Sequence, residues 1–131
     1  MTAKILIVED EILVAMQLED VLTDAGHAVV GVVPDHRSLA RLAEVPQIAL
    51  VDINLRDGRS GPMIARELSA NFGTRIVYVT ANPDQIDVPA PTAMGVVSKP
   101  FSPQAVLGAI AYALAGGEGI ERPRELKPVC R

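Results

Sequence analysis

Short apolar runs alternate along the chain with longer segments in which apolar residues recur at helical spacing. The runs are rich in valine and isoleucine, which favour β-strands, and they lie at 5–8, 28–33, 48–53, 75–79 and 95–97. Helical spacing is found over 12–22, 38–44, 61–71 and 103–115. Uniformly apolar strands are typical of a sheet buried on both faces, and their alternation with helices indicates parallel βαβ units. The pattern predicts an α/β protein with a doubly wound five-stranded parallel sheet.

One connection departs from the strand–helix alternation. The segment between the fourth and fifth strands contains Pro83, Pro89 and Pro91. Proline removes a helix donor and restricts the residue before it. We therefore expect a short helix over 83–87 or an open loop at this place.

Composition narrows the class of protein. A length of 131 residues suits one domain, which we place at 1–116, followed by a polar tail at 117–131. The net charge of -4 argues against a nucleic-acid binder. A single cysteine, Cys130, cannot form a disulfide framework or a thiolate metal site. With neither a signal peptide nor a membrane span in the sequence, we expect a cytoplasmic protein without a membrane partner.

Polar residues follow four of the predicted strands. The acidic run 9–11 follows the first strand, Asp52 lies at the end of the third, Thr80 ends the fourth, and Lys99 with Pro100 ends the fifth. Since parallel strands end at one edge of the sheet, these groups are expected to converge there. Singly, they could be helix-dipole acids, a turn aspartate, a helix cap and a surface lysine.

Together these side chains point to phosphoryl chemistry. Clustered acids repel unless a cation lies among them, and oxygen ligands without histidine or cysteine suit Mg²⁺. Lys99 would add a second positive charge. Such a site can hold a phosphoryl group, with Asp52 as the nucleophile that receives it.

The sequence resembles the receiver domain of two-component response regulators. The resemblance rests on "ILIVEDE" (5–11), "LVDINLRDGRSG" (50–61), "VYVTA" (77–81) and "VSKPFSP" (97–103), and it covers about 3–115. It implies a flavodoxin-like sheet of order 2-1-3-4-5 with a short or irregular fourth helix. The opening and ending motifs are also similar to the receivers of alphaproteobacterial general-stress regulators of the PhyR type. In that type a sigma-factor-like domain precedes the receiver. The sequence shows no such domain before the receiver motifs, so we expect a stand-alone receiver here.

The resemblance implies a role for each site residue. Asp52 matches the phosphoacceptor, and Thr80 and Lys99 match the hydroxyl and ammonium that bind the phosphoryl group. The implied Mg²⁺ ligands are Glu9, Asp10, Asp52 and the backbone carbonyl of Asn54.

Three further positions bear on the phosphorylation switch. Ala81 matches the small residue that admits the phosphodonor, and Pro100 matches the proline of a cis bond that holds Lys99. Val96 stands where the family often has an aromatic switch residue. We therefore expect Thr80 to act with another element, for which the proline-rich loop 82–93 is the candidate.

The resulting hypothesis is a receiver that takes phosphate from a histidine kinase. It would be no enzyme in the usual sense, beyond Mg²⁺-dependent self-phosphorylation from phosphohistidine and autodephosphorylation. Its output would be contact with a downstream protein, competition with another receiver for phosphate, or a homodimer through the face of the fourth helix, fifth strand and fifth helix. The alternative is a receiver-like binding module that is not phosphorylated. A nucleotide-binding enzyme is disfavoured, since "EDEI" (9–12) replaces the glycine-rich turn such proteins need after the first strand.

Overall fold

Six strands form one sheet, in the order β2-β1-β3-β4-β5-β6, in a computed structural model that describes residues 2–129. The strands are β1 (Lys4–Val8), β2 (Ala28–Val33), β3 (Ile48–Val51), β4 (Arg75–Thr80), β5 (Ala93–Ser98) and β6 (Leu126–Lys127). The helices are α1 (Ile12–Asp24), α2 (Gly61–Phe72) and α3 (Pro103–Leu114). The first five strands are parallel, which confirms the predicted fold and sheet order. Cys130 lies outside the described residues.

Helices cover both faces of the sheet because successive strand residues point to opposite sides. Ile5 and Ile7 pack with α1 and α3, whereas Leu6 and Val8 pack with α2. Strands β3 and β4 are buried almost throughout. The uniformly apolar runs in the sequence therefore correspond to strands with a hydrophobic core on each side.

Two predicted helical segments are 3₁₀ turns. The segment predicted to be helical at 38–44 forms a turn at Arg37–Arg41, and Leu42 is already extended. None of the residues in this turn is fully buried, and Leu39 alone among them packs against the core, which leaves little apolar contact to stabilise a full helix. The proline-rich connection forms a turn at Pro83–Gln85, in agreement with the short or irregular helix expected there.

A sixth strand extends the predicted sheet. β6 pairs antiparallel with β5, and it lies in the segment assigned from sequence to a polar tail. A strand of two residues, Leu126–Lys127, has no periodicity that sequence patterns can detect. In the part of the chain that the structure describes, no helix is long and apolar enough to cross a membrane.

The start of α2 lies directly against the strand end that carries Asp52. The backbone N–H of Gly61 donates to the carbonyl of Ile53 at 3.1 Å. A Cβ atom at Gly61 would lie 1.8 Å from the carbonyl oxygen of Asp52. Only glycine therefore allows the helix to begin this close to the strand end.

The loop after β3 is tied to the loop after β2 through Asp35. One Asp35 oxygen accepts from the Ser38 backbone at 2.8 Å and from its hydroxyl at 2.6 Å. The other accepts from Nε of Arg56 at 2.7 Å. The hydrogen bonds from Ser38, followed by that from Arg56, lower the pKa of Asp35 to about 2.

We predict that Gly61→Ala destabilises the domain by about 3 kcal/mol, because the new methyl group forces the helix away from Asp52. Gly31→Ala is the matched control, since its Cβ would lie 3.4 Å from Leu6 Cδ1, an ordinary contact. Urea unfolding of both variants measures the difference. Equal stability of the two variants would contradict the prediction.

A second prediction concerns pH. Because the pKa of Asp35 is lowered from 3.8 to about 2, its ionised form stabilises the fold above pH 3.8, and this contribution is lost as the pH falls through about 2. Asp35→Asn should therefore lower the free energy of unfolding at pH 5–7 and lose that effect near pH 2. Denaturant unfolding across this range tests it, with Asp87→Asn, an exposed aspartate, as control. A stability loss that does not change with pH would refute the assignment.

Candidate functional site

Lys99 connects the ends of three parallel strands. Its Nζ lies 2.7 Å from Oε1 of Glu9, after β1, and 2.8 Å from Oδ2 of Asp52, after β3. Glu11 is more distant, at 3.9 Å from the same nitrogen. The convergence expected from the sequence is therefore present at the carboxyl edge of the sheet.

Three carboxylates cluster at this edge of the sheet. Oxygen atoms of Glu9, Asp10 and Asp52 lie within 4.8 Å of one another. Glu9 and Asp52 are buried, with exposed fractions of 2% and 7%. Three carboxylates and one ammonium leave an excess of negative charge, which a hard divalent cation would offset with oxygen ligands alone. This donor set fits Mg²⁺.

The charged groups respond to burial in different ways. Burial raises the pKa of Glu9, and hydrogen bonds from Lys99 and the Glu11 backbone offset only part of this effect. Burial alone would lower the pKa of Lys99, but hydrogen bonds to Asp52 and Glu9 outweigh it and the pKa is raised. Lys99 is therefore held in its charged form at the site.

Both oxygens of Asp52 have hydrogen-bond donors. The backbone N–H of Ile53 donates to Oδ1 at 2.7 Å, and Lys99 donates to Oδ2. The backbone of Asp52 itself is fixed, because its N–H donates to the carbonyl of Val8 at 2.9 Å. The orientation of the carboxylate is thus fixed by donors that directly follow the ends of β3 and β5.

Thr80 ends β4 at the same edge but has a different contact. It is fully buried, and among the described residues its hydroxyl is hydrogen-bonded to the Asn82 backbone N–H alone, at 3.0 Å. Ala81 is exposed next to it. The backbone carbonyl of Thr80 accepts from Lys99 N–H at 3.0 Å, so the strand ends carrying these two residues are joined.

The other predicted site residues are also located at this edge or beside it. The Lys99–Pro100 peptide is cis, as expected. The side-chain amide of Asn54 donates to Oε1 of Gln85 at 2.8 Å, and thereby links the loop after β3 to the proline-rich loop. Val96 is buried in β5.

Sequence reasoning did not single out a buried aromatic residue near the end of β4. Tyr78 is fully buried in β4, in register with Val96, and its hydroxyl accepts from the Ala90 N–H at 3.0 Å. Burial raises the pKa of Tyr78. Its place two residues before Thr80 was a signal, but the partner in the proline-rich loop was not readable from the sequence. Gln85 was missed for the same reason.

Comparison with known proteins agrees with the geometry. The model of the response regulator receiver domain matches residues 5–111. PhyR of Methylorubrum extorquens is 35% identical over 120 residues, which are 87% of this chain and 44% of that protein. PdtaR of Mycobacterium tuberculosis is 31% identical over 117 residues, covering 86% of this chain and 57% of that protein. The chain thus spans about half the length of these relatives.

Solved structures give the same result. The PhyR receiver domain of Erythrobacter litoralis superposes with a TM-score of 0.77 at 34% identity, over 86% of this chain and 90% of that one. PhyR of Brucella abortus gives a TM-score of 0.78 at 33% identity, over 90% of this chain and 50% of that one. The predicted similarity to PhyR receivers is confirmed. With its carboxylate–lysine edge and its match over most of its length, the chain belongs to the family of response regulator receiver domains.

Proposed function

We propose that Asp52 accepts a phosphoryl group from the phosphohistidine of a histidine kinase. The observation that carries the proposal is the placement of this buried carboxylate, with Lys99 2.8 Å from one oxygen and Glu9 and Asp10 beside it. A buried cluster of like charges is costly without a function or a cation. Phosphoryl transfer explains the cluster, because the reaction uses a carboxylate as the nucleophile and cations beside it to offset charge.

The transfer is a displacement at phosphorus. An oxygen of Asp52 forms a bond to phosphorus while the bond from phosphorus to the histidine nitrogen breaks, and that nitrogen keeps the electron pair. The product is an acyl phosphate and a free imidazole. Lys99 offsets charge on the phosphoryl oxygens, and the Thr80 hydroxyl, released from Asn82, would donate to one of them. Water later hydrolyses the acyl phosphate, which releases inorganic phosphate, restores the Asp52 carboxylate and ends the signal.

Mg²⁺ fits this proposal as the resident cation. The side chains of Glu9, Asp10 and Asp52, with the carbonyl of Asn54, would hold it. When bound, it supplies charge neutralisation for the phosphoryl oxygens. Without a bound cation, Lys99 alone would offset the repulsion among the three carboxylates.

The kinase would approach over the first turns of α1. Ile12, Leu13 and Met16 are exposed by 74%, 81% and 54%, and they follow the acidic run directly in sequence. Apolar side chains exposed together are uncommon on a monomer surface and favour protein contact. We infer that this patch docks the phosphodonor beside Asp52.

The output would be a protein contact controlled by phosphorylation, or competition for phosphate with another receiver. One solved relative, PhyR of Bartonella quintana, is described as an anti-anti-sigma factor, and it resembles this chain at 30% identity with a TM-score of 0.77. This supports a protein target rather than a nucleic acid. A homodimer through the face that includes β5 stays a prediction.

Intact mass after incubation with acetyl phosphate and Mg²⁺ tests the proposal. We expect a single hydroxylamine-sensitive phosphoryl adduct on the wild type, lost in Asp52→Asn and after Mg²⁺ is chelated, but retained in the control Glu11→Gln. No adduct on a folded protein would favour the alternative of a binding module.

The same phosphorylated sample tests the role of the proline-rich loop. Amide exchange in 82–93 should slow in that sample, and unchanged exchange would remove this loop from the switch.

A further prediction concerns the lifetime of the phosphorylated form. An amide side chain at Asn54, two residues beyond the acceptor, can hold the attacking water, so Asn54→Ala should slow dephosphorylation by about tenfold, or about 1.4 kcal/mol in activation free energy. Loss of phosphate followed by mass spectrometry gives the rate. Asn71→Ala, at an exposed asparagine on α2, is the control. Equal lifetimes in both variants would count against a role for Asn54.

A further inference from the structure

The C-terminal segment, residues 117–129, returns to the sheet edge. Leu126 is 1% exposed and belongs to the core cluster that includes Val97 and α3. Its strand, β6, pairs antiparallel with β5, through Val96 with Lys127 and Val97 with Leu126. We call residues 117–129 the C-terminal strap.

Two glycines in the fold match the path of the strap. A Cβ atom at Gly95, in β5, would lie 2.7 Å from the Lys127 carbonyl oxygen and 2.8 Å from the Leu126 side chain. A Cβ atom at Gly108, within α3, would lie 3.3 Å from Pro123 Cγ. Glycine is unfavourable inside strands and helices. The close approach of the strap gives a physical reason for glycine at both positions.

The strap packs an apolar residue against the sheet and exposes charged residues to solvent. Its apolar anchor, Leu126, is buried, while its charged side chains face solvent. These exposed residues are Glu118, Glu121, Arg122, Arg124, Glu125 and Lys127. An edge strand with free backbone groups is a template for pairing with another chain, and charged or covering segments are the usual protection.

We propose that the C-terminal strap blocks the edge of β5 from pairing with β5 of a second copy of this chain. Two identical edge strands related by a two-fold axis run antiparallel. β6 demonstrates that the edge of β5 accepts an antiparallel strand. With the strap removed, the second copy would therefore find a strand edge of the correct polarity, at the face on which a homodimer was predicted. The proposal does not depend on phosphorylation of Asp52.

Two variants release the strap by different means. A chain that ends at Gly116 lacks it. Gly108→Gln places a side chain where Pro123 packs, while glutamine favours the helix more than glycine does, so α3 itself is not weakened. Ala111→Gln introduces the same side chain at an exposed position of α3 and is the matched control.

Sedimentation equilibrium and amide exchange of unphosphorylated protein provide the test. We expect the wild type and Ala111→Gln to be monomers with protected β5 amides. The shortened chain and Gly108→Gln should dimerise at the same concentration. At concentrations too low for dimers, their β5 amides that face the strap should exchange about tenfold faster or more.

Three results would overturn the proposal. One is a monomer for both released variants, since the exposed edge would then have no affinity for a second copy. Another is equal protection of β5 in wild type and Gly108→Gln, since the strap would not control the edge. The third is loss of the fold in Gly108→Gln by circular dichroism, since the strap would then be an inseparable part of the core.

Discussion

The ion pairs of Lys99 with Glu9 and Asp52 are the interaction on which the rest of the site depends. The carboxylates of Glu9 and Asp52 are both buried and repel each other. The Lys99 ammonium, which lies 2.7 Å from Glu9 and 2.8 Å from Asp52, offsets part of that repulsion. Breaking a buried pair on one side leaves an uncompensated charge, which is strongly unfavourable. The ends of β1, β3 and β5 must therefore stay in register, so the charge arrangement and the sheet topology constrain each other.

The scaffold around these strand ends is correspondingly tight. Gly61 allows α2 to begin against the carbonyl of Asp52, and Asp35 fixes the following loop through Arg56. The hydrogen bond between the side chains of Asn54 and Gln85 connects this region to the proline-rich loop. A change in charge at Asp52 would first change the conformation of the short loops that carry these contacts, because the strands behind them are fully packed.

The sequence was most informative where chemistry and periodicity coincide. Apolar strands followed by Asp52 or Lys99 predicted both the sheet and the edge at which these residues meet. Most of the failures have a common cause, because they depend on pairing between distant segments. β6 has only Leu126 as an apolar anchor, and the contact between Tyr78 and Ala90 depends on a loop without regular structure. The 3₁₀ turn at Arg37–Arg41 shows that helical spacing alone does not make a helix where no side chain is fully buried.

The two tyrosines have a consequence for spectroscopy. The chain has no tryptophan, so Tyr78 and Tyr112 dominate its near-ultraviolet absorption and emission. The Tyr78 hydroxyl accepts from the backbone of the proline-rich loop, and a Cβ atom at Gly117, where the strap begins, would lie 3.2 Å from the Tyr112 hydroxyl. Each ring thus reports on a different segment of the chain, and replacing either one with phenylalanine separates the two optical signals without an added label.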